Sequence, residues 1–120
     1  RGLFEEFLKN TTRRRCTWAA VDRGSHLYCG HGWLTLSDDE CELGCIIHPD
    51  YQMRGYGTEL ARAMVRYALS DGGMARVSAS VDIGHHASIR MLEKTGMVLQ
   101  REERDEQGAY LVYATSRMPE

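Results

Sequence analysis

At the centre of the chain stands Gln52-Met53-Arg54-Gly55-Tyr56-Gly57-Thr58. The apolar run Cys45-Ile46-Ile47 and Pro49 precede it. Apolar residues then recur at helical spacing, and they are Leu60, Ala61, Met64, Tyr67 and Ala68. A strand, a tight turn and the start of a helix ending near Leu69 are therefore predicted here.

This predicted turn has the chemistry of an anion-binding site. The first turn of a helix holds about four backbone N–H groups without an internal partner, and the helix dipole adds partial positive charge there. Gly55 and Gly57 lack a Cβ, which lets a bulky phosphate approach those amides, and Arg54 can add a full positive charge. The stretch thus predicts a phosphate site.

Two blocks of sequence resemble one family. The spacing Gln52-x-x-Gly55-x-Gly57 is similar to the acetyl-coenzyme A diphosphate loop of the GNAT N-acetyltransferases. The block from His85 to Met97 resembles the family's Asn-x-x-Ser-x-Arg-x-Leu-Glu-Lys-x-Gly-Phe helix, in the variant found in ribosomal-protein N-terminal alanine acetyltransferases. One helix and one strand separate the blocks, and the resemblance covers about residues 16 to 117.

The predicted elements fit a mixed α/β (α+β) GNAT fold whose central sheet is mostly antiparallel and flanked by helices. Three strands at 16–21, 26–36 and 41–47 are expected to form an antiparallel meander. The strand at 75–82 follows a helix and should lie parallel to the third by a right-handed crossover. A helix at 86–95 ends in a Schellman cap at Gly96, in which Leu92 touches Met97, and a hairpin of strands 97–102 and 109–114 follows.

The first residues are interpreted as a helix. Residues 2–9 place Leu3, Phe4, Phe7 and Leu8 on one helical stripe. The chain begins at Arg1 rather than Met, and the resembled family usually has a strand and a helix before this point. We therefore expect an N-terminal segment to be missing.

The resemblance also implies how the cofactor, acetyl-CoA, is held. In the family, the two parallel strands diverge into a V-shaped gap that accepts the pantetheine arm. Main-chain atoms of Cys45, Ile46 and Ile47 match the first of these strands, while residues 52–58 match the diphosphate loop. The family Asn that contacts the pantetheine amide is His85 here.

Acetyl transfer requires a neutral amine, so a base must remove a proton. Glu42 matches a position where family members often place an acid, although a solvent-facing strand residue is the alternative. Glu40, Asp82 and His48 are reserves, and for His48 a loop hydrogen bond is the preferred interpretation. Many family members protonate the thiolate with a Tyr whose position here holds Leu92.

Ser88 is the replacement that we select as hydrogen-bond donor to the sulfur, the alternative being a capping hydroxyl.

The resemblance implies an N-acetyltransferase that moves acetyl to a primary amine by direct attack in a ternary complex. A catalytically weak CoA-binding or regulatory module is the rival. The acceptor stays open between a protein N-terminus and a small-molecule amine; of Tyr110 and Tyr113, near the acceptor side, one should belong to the core.

Composition bounds the remaining possibilities. The chain has 120 residues, which fits one domain over residues 1–120, and its net charge of −2 gives no case for nucleic-acid binding. No apolar run approaches the ~20 residues of a membrane span, so a soluble, cytoplasmic protein is expected. Four cysteines without Cys-x-x-Cys spacing predict reduced thiols, and His48 with His85-His86 does not form a metal site by ligand spacing. A homodimer through the C-terminal hairpin is compatible with the resemblance, but no residue specifies it.

Overall fold

A computed structural model describes residues 3–6 as backbone only, and residues 15–52 and 54–116 in full. Seven strands form one sheet in the order β1-β2-β3-β4-β5-β7-β6. The strands are β1 (Leu3–Glu6), β2 (Arg15–Asp22), β3 (Tyr28–Ser37), β4 (Glu40–Ile47), β5 (Arg76–Asp82), β6 (Val98–Asp105) and β7 (Gly108–Ser116). Two helices, α1 (Tyr56–Leu69) and α2 (His86–Lys94), and a 3₁₀ turn at Pro49–Tyr51 complete the fold.

The antiparallel half of the sheet begins at a strand in a region where the sequence pattern predicted a helix. Leu3–Glu6 pairs antiparallel with β2, Leu3 lying opposite Asp22 and Glu6 opposite Ala19. The predicted helix over residues 2–9 is therefore wrong for 3–6, and the rest of that prediction falls outside the described residues. A helical stripe of four apolar residues is a weak signal, and the free β2 edge supplies hydrogen bonds that a short helix cannot match.

The predicted meander and crossover are confirmed. Strands β2, β3 and β4 pair antiparallel in sequence order, while α1 carries the chain from β4 to a parallel β5. The parallel ladder is short, because it joins Glu40–Glu42 to Arg76–Ser78 and then stops. Both strands continue, β4 to Ile47 and β5 to Asp82, without pairing to each other. The sheet is split at this point.

One face of the sheet packs against both helices and forms the core. The largest fully buried side chains are Leu34, Leu60, Met64, Val77 and Cys29. A Cβ built on Gly32 would lie 2.4 Å from the Met64 sulfur, so this strand glycine lets α1 approach β3.

The end of α2 is fixed by a Schellman cap, as predicted. Met97 N–H donates to Leu92 O at 3.1 Å and Gly96 N–H donates to Glu93 O at 3.0 Å. Gly96 has a φ of 96°, and Leu92 and Met97 are both buried. The guanidinium of Arg62 on α1 donates to Lys94 O at 2.8 Å, which ties the two helices together.

This cap predicts that alanine substitutions at the two glycines that flank α2 change the free energy of unfolding by different amounts. Gly96→Ala forces a Cβ into the left-handed region and is expected to lower the free energy of unfolding by about 1–2 kcal/mol. Gly84→Ala is the matched control, since Gly84 has no left-handed φ and a Cβ there meets no atom within 4 Å. Urea unfolding of both variants measures the difference. Equal stabilities would contradict the assigned cap.

The C-terminal hairpin is confirmed and is longer than predicted. β7 pairs antiparallel with β5 on one side and with β6 on the other. The β6–β7 ladder reaches Asp105 opposite Gly108, so Glu106 and Gln107 alone form the turn. This turn lies beside the C-terminal end of β5, since Asp82 is opposite Tyr110. The hairpin tip is therefore placed next to the open end of the split.

Candidate functional site

The predicted phosphate turn has the expected geometry. Gly55 is the N-cap of α1, with a φ of 84°, and the first hydrogen bond of the helix runs from Glu59 N–H to Gly55 O at 3.0 Å. The N–H groups of Tyr56, Gly57 and Thr58 come before that bond and have no intrahelical acceptor. They form a row of donors at the positive end of a 14-residue helix. Met53 lies outside the described residues.

The two glycines of the turn have different roles. A Cβ built on Gly55 meets no described atom within 4 Å, so the space beside this exposed residue is open. A Cβ on Gly57 would lie 2.9 Å from Met91 Sδ and 3.5 Å from Ile47 Cγ1. The interpretation of Gly57 as clearance for a phosphate therefore needs correction, because its missing side chain lets α1 pack closely against α2 and β4.

Side chains of the turn largely stabilise the turn itself. Gln52 Nε2 donates to Ile47 O at 2.9 Å, and the Arg54 guanidinium lies 5.5 Å from the centre of the Tyr51 ring. Tyr56 is buried, and its hydroxyl donates to Asp22 Oδ1 at 2.7 Å. This bond is the main cause of the raised pKa of Tyr56. Of these predicted cofactor contacts, Arg54 and Gln52 are exposed, and the Gln52 amide keeps a second N–H and its carbonyl oxygen beyond the bond to Ile47. The Tyr56 hydroxyl is bonded to Asp22, so Tyr56 can offer its main-chain N–H.

The split exposes the last residues of β4. Cys45 is half-buried on the helix side, with Sγ 3.9 Å from Met91 Sδ, and Ile46 is 54% exposed on the opposite face. The carbonyl of Ile47 is already bonded to Gln52. The β5 side of residues 43–47 carries no pairing to β5. An extended molecule could therefore form main-chain hydrogen bonds along this edge.

Cys45 allows a chemical test of this environment. Burial raises its pKa to about 11, so the thiol stays protonated at neutral pH. The rate of alkylation by iodoacetamide, followed by mass spectrometry of the Cys45 peptide, is expected to rise about tenfold per pH unit up to pH 10. A rate that levels off near pH 9, as for an ordinary thiol, would contradict the burial described.

A cleft of about 480 Å³ opens where β5, α2 and the β6–β7 turn meet. Three residues that the sequence analysis selected, Asp82, His85 and Ser88, lie in its wall. Lys and Arg are absent from the lining, which includes two carboxylates. The lining residues are Ser80, Val81, Asp82, His85, Ser88, Asp105, Gln107, Gly108 and Tyr110. Asp105 and Gln107 were not predicted as site residues. In the sequence they belong to the hairpin turn that follows the second block, and this turn alone does not indicate a cleft.

The N-cap of α2 is the imidazole of His85. Its Nδ1 accepts from Ser88 N–H at 3.3 Å, which leaves Nε2 as the protonated nitrogen of the neutral ring. The alternative interpretation of Ser88 as the capping hydroxyl is wrong, because the cap comes from the preceding ring. No hydrogen bond of the Ser88 hydroxyl to another described residue is seen. This hydroxyl and His85 Nε2 are both available as donors to a bound molecule.

Glu42 lies at the apex of the split. It is the last β4 residue in the parallel ladder, opposite Ser78, and it is exposed on the sheet face away from the helices. Ser80 Oγ donates to Glu42 Oε2 at 3.4 Å, a contact that crosses from β5 to β4 just above the ladder. The carboxylate is therefore oriented toward the gap between the strands.

The other candidate acids and bases either interact with nearby residues or lie away from the apex of the split. Glu40 lies 3.9 Å from Arg76 Nε, and Asp82 is exposed in the cleft. His48 Nδ1 accepts from Asp50 N–H at 3.1 Å, which confirms the loop hydrogen bond preferred for this residue. These arrangements make Glu42 the carboxylate best placed at the split.

The aromatic and aliphatic candidates divide between core and cleft. Leu92 is buried and cannot supply a proton. Tyr113 is the core member of the tyrosine pair, with its hydroxyl donating to Glu93 Oε2 at 3.2 Å. Tyr110 lines the cleft and its hydroxyl donates to Glu103 Oε1 at 3.3 Å. The prediction that one of the two belongs to the core is confirmed.

Cysteine, metal and membrane features are simple within the described residues. All four cysteines are free thiols, as predicted. No group of three or more His, Cys, Asp or Glu side chains in the described part of the chain is arranged to hold a metal ion. Neither α1 nor α2, the two helices described, is long and apolar enough to cross a membrane.

The comparison with protein families decides the assignment. Residues 1–98 match the acetyltransferase (GNAT) domain. The chain belongs to the GNAT acetyltransferase family. The family predicted from the two sequence blocks is thereby confirmed.

Similar proteins support the same family. The uncharacterized N-acetyltransferase YjdG of Bacillus subtilis is 28% identical over 101 residues, which are 80% of this chain and 60% of that protein. The uncharacterized N-acetyltransferase YnaD of the same organism is 32% identical over 56 residues, which are 47% of this chain and 33% of that protein. This GNAT chain thus spans between a third and three fifths of the length of these relatives.

Solved structures share the fold at low identity. A GNAT acetyltransferase from Bacillus anthracis superposes with a TM-score of 0.78 at 21% identity, covering 83% of this chain and 65% of that one. The ribosomal-protein-S5-alanine acetyltransferase of Vibrio fischeri gives 0.80 at 13% identity, covering 86% and 62%. A spermidine N-acetyltransferase chimera from Vibrio cholerae and hSSAT gives 0.80 at 14% identity, covering 87% and 68%.

Proposed function

We propose that this GNAT chain is an acetyl-CoA-dependent N-acetyltransferase that transfers an acetyl group to a primary amine in a ternary complex. The proposal depends on one observation. The N–H groups at the start of α1, which have no intrahelical acceptor, lie next to an edge of β4 that does not pair with β5. One end of the site fits a diphosphate and the other fits an extended arm. Acetyl-CoA combines these two features and supplies the activated thioester.

The amides of Gly55, Tyr56, Gly57 and Thr58 are proposed to bind the diphosphate, with Arg54 at the rim. The open space beside Gly55 and the left-handed N-cap support this assignment, because a bulky anion can reach the donors without a clash. Main-chain atoms of Cys45, Ile46 and Ile47 are proposed to line the pantetheine arm. The Ile47 carbonyl is the weaker acceptor among them, because it already accepts from Gln52.

His85 is proposed to contact the pantetheine amide of the cofactor, and Ser88 is proposed to contact its sulfur. Their free donors, Nε2 and the hydroxyl, lie in the same cleft at the end of β5. The hydroxyl can donate a hydrogen bond to the departing thiolate, which takes over the role that the buried Leu92 cannot perform. The substitution of a family Asn by His85 is compatible with binding, because a neutral imidazole offers a donor.

Glu42 is proposed as the general base for the amine. Its exposed carboxylate is directed at the split by Ser80, so it can accept a proton directly or through one water. The carboxylates of Asp82 and Asp105 in the cleft favour a cationic amine as the entering acceptor. The acceptor classes suggested by similar structures are a protein N-terminal alanine and spermidine, and both carry a primary amine.

Residues 1–120 are proposed to form one GNAT domain, because every described strand joins a single sheet. Four free thiols are consistent with a reducing compartment, and we propose the cytoplasm.

Two measurements test the proposed function. Calorimetric titration with CoA should show saturable one-site binding, and acetyl-CoA with a panel of peptide N-termini and polyamines should release free CoA with at least one acceptor. Binding without turnover on any acceptor would support the rival, a CoA-binding regulatory module. Absence of CoA binding would overturn both assignments.

A further inference from the structure

The first residue of α1 is joined to a distant hairpin by a partly buried hydrogen bond. Tyr56 is 8% exposed, and its hydroxyl donates to Asp22 Oδ1 at 2.7 Å across 34 residues of sequence. Asp22 is the last residue of β2, directly before the turn that leads into β3. The contact therefore connects the start of the diphosphate-binding helix with the antiparallel half of the sheet.

The Asp22 carboxylate is held by donors on both oxygens. Its Oδ2 accepts from Ser25 N–H at 2.9 Å and from the Ser25 hydroxyl at 2.8 Å. Its main chain is fixed as well, because Asp22 N–H donates to Leu27 O and Asp22 O accepts from His26 N–H. The pKa of Asp22 is lowered to about 2, chiefly by the Tyr56 hydroxyl, so the acceptor is ionised at neutral pH.

The loop before α1 is exposed, and the contacts of its side chains are mostly local. Gln52 donates to Ile47 O, and the Arg54 guanidinium lies over the Tyr51 ring and also interacts with the Tyr56 hydroxyl. His48, Asp50, Gln52, Arg54 and Gly55 are exposed, and a Cβ on Gly55 would touch no described atom. Tyr51 is half-buried and stacks on Tyr56, with ring centres 5.7 Å apart. Tyr56 is thus the first buried residue after the loop among those described, and Tyr51 packs on it.

The main chain of Tyr56 is one of the donors assigned to the diphosphate. A rotation of its side chain away from Asp22 would tilt the first turn of α1, together with the amides of Gly57 and Thr58. Hydrogen bonds from several amides to one anion depend on all of them pointing to the same place. A bond that fixes the phenol on Asp22 would therefore also restrain the direction of these amides.

We propose that Asp22 and Tyr56 are positioning residues for the cofactor, which hold the first turn of α1 in the orientation that binds a diphosphate. Neither side chain touches the cofactor in this account. The inference rests on the proposed function, since it assigns the diphosphate to this turn.

The proposal predicts a loss of affinity without loss of fold. If Tyr56→Phe lets the turn adopt the binding orientation only about a fifth of the time, the apparent Kd for CoA rises about fivefold. Asp22→Ala should have a similar effect, and the double variant should bind no more weakly than the weaker single variant, because both changes remove the same bond. A merely structural role would lower stability in urea and leave the Kd at 25 °C unchanged.

The experiment measures the Kd of CoA by calorimetry for the wild type, Tyr56→Phe, Asp22→Ala and the double variant. The control is Tyr67→Phe, which keeps the Asp22–Tyr56 bond and removes a phenol from the exposed end of the same helix. Its Kd should stay within about twofold of wild type.

The possible results distinguish a failure of the positioning role from a failure of the proposed function. The positioning role is supported if Tyr56→Phe and Asp22→Ala both bind CoA more weakly than the wild type. The two effects should not add in the double variant, and the control should show no such loss. Wild-type affinity in Tyr56→Phe, whose loss of one oxygen should leave the protein folded, overturns the inference and leaves the proposed function standing. Failure of the wild type itself to bind CoA overturns the proposed function, and the inference with it.

Discussion

Gly55→Asp is expected to weaken the affinity for CoA at least a hundredfold. The new carboxylate would stand at the N-cap, beside the amides assigned to the diphosphate, in space that is open in the protein. Two unit charges about 4 Å apart repel by about 4 kcal/mol at an effective dielectric constant of about 20. Calorimetry with CoA measures the effect.

Gly55→Asn is the matched control for charge. Asparagine has nearly the size of aspartate, both residues tolerate the left-handed region, and both are good N-caps. We expect Gly55→Asn to weaken CoA binding far less than Gly55→Asp. Aspartate should leave α1 at least as stable as asparagine does, because both side chains meet the same left-handed φ and a negative charge favours a helix N-terminus. Equal CoA affinity of the two variants, or normal binding by Gly55→Asp, would show that the diphosphate lies elsewhere.

Glu42→Gln is expected to lower kcat about a hundredfold while leaving the Kd for CoA within about twofold, since a positioned general base contributes at least that factor. The physical reason is that the amide keeps the contact with Ser80 but cannot take a proton from the amine. Steady-state CoA release with a saturating acceptor gives kcat, and calorimetry gives the Kd.

A second glutamate serves as the control for this substitution. Glu102 is exposed on β6, away from the split, and Glu102→Gln removes the same charge. Its kcat should equal that of the wild type. If Glu42→Gln also retains full kcat, then Glu42 is the solvent-facing strand residue that its sequence position allowed, and the base must be sought elsewhere in the cleft.

The sequence was most informative where local chemistry alone decides the structure. The glycines and apolar spacing around residues 55–69 set the start and end of α1, and Leu92, Gly96 and Met97 set the cap of α2. A strand, a helix and a second strand in that order required a parallel pair. These features depend on residues close together in the chain, so patterns of a few residues could predict them.

What the sequence could not show depends on contacts between distant segments. The strand at Leu3–Glu6 exists through pairing with β2, and its own apolar spacing favoured a helix. The packing role of Gly57 was missed because nothing in the sequence brings Met91 next to it. The Tyr56–Asp22 bond was missed for the same reason, since a tyrosine in a glycine-rich turn gives no indication of a carboxylate 34 residues earlier.

The most direct test is a titration of ¹⁵N-labelled protein with CoA, followed by amide NMR spectra. If the amides at the start of α1 hold the diphosphate, those of Gly55, Tyr56, Gly57 and Thr58 show the largest shifts and move downfield as they donate to it. The shifts are then strongly reduced with pantetheine, which lacks the diphosphate. Saturable CoA binding that leaves these four amides unmoved would show that the start of α1 does not bind the diphosphate.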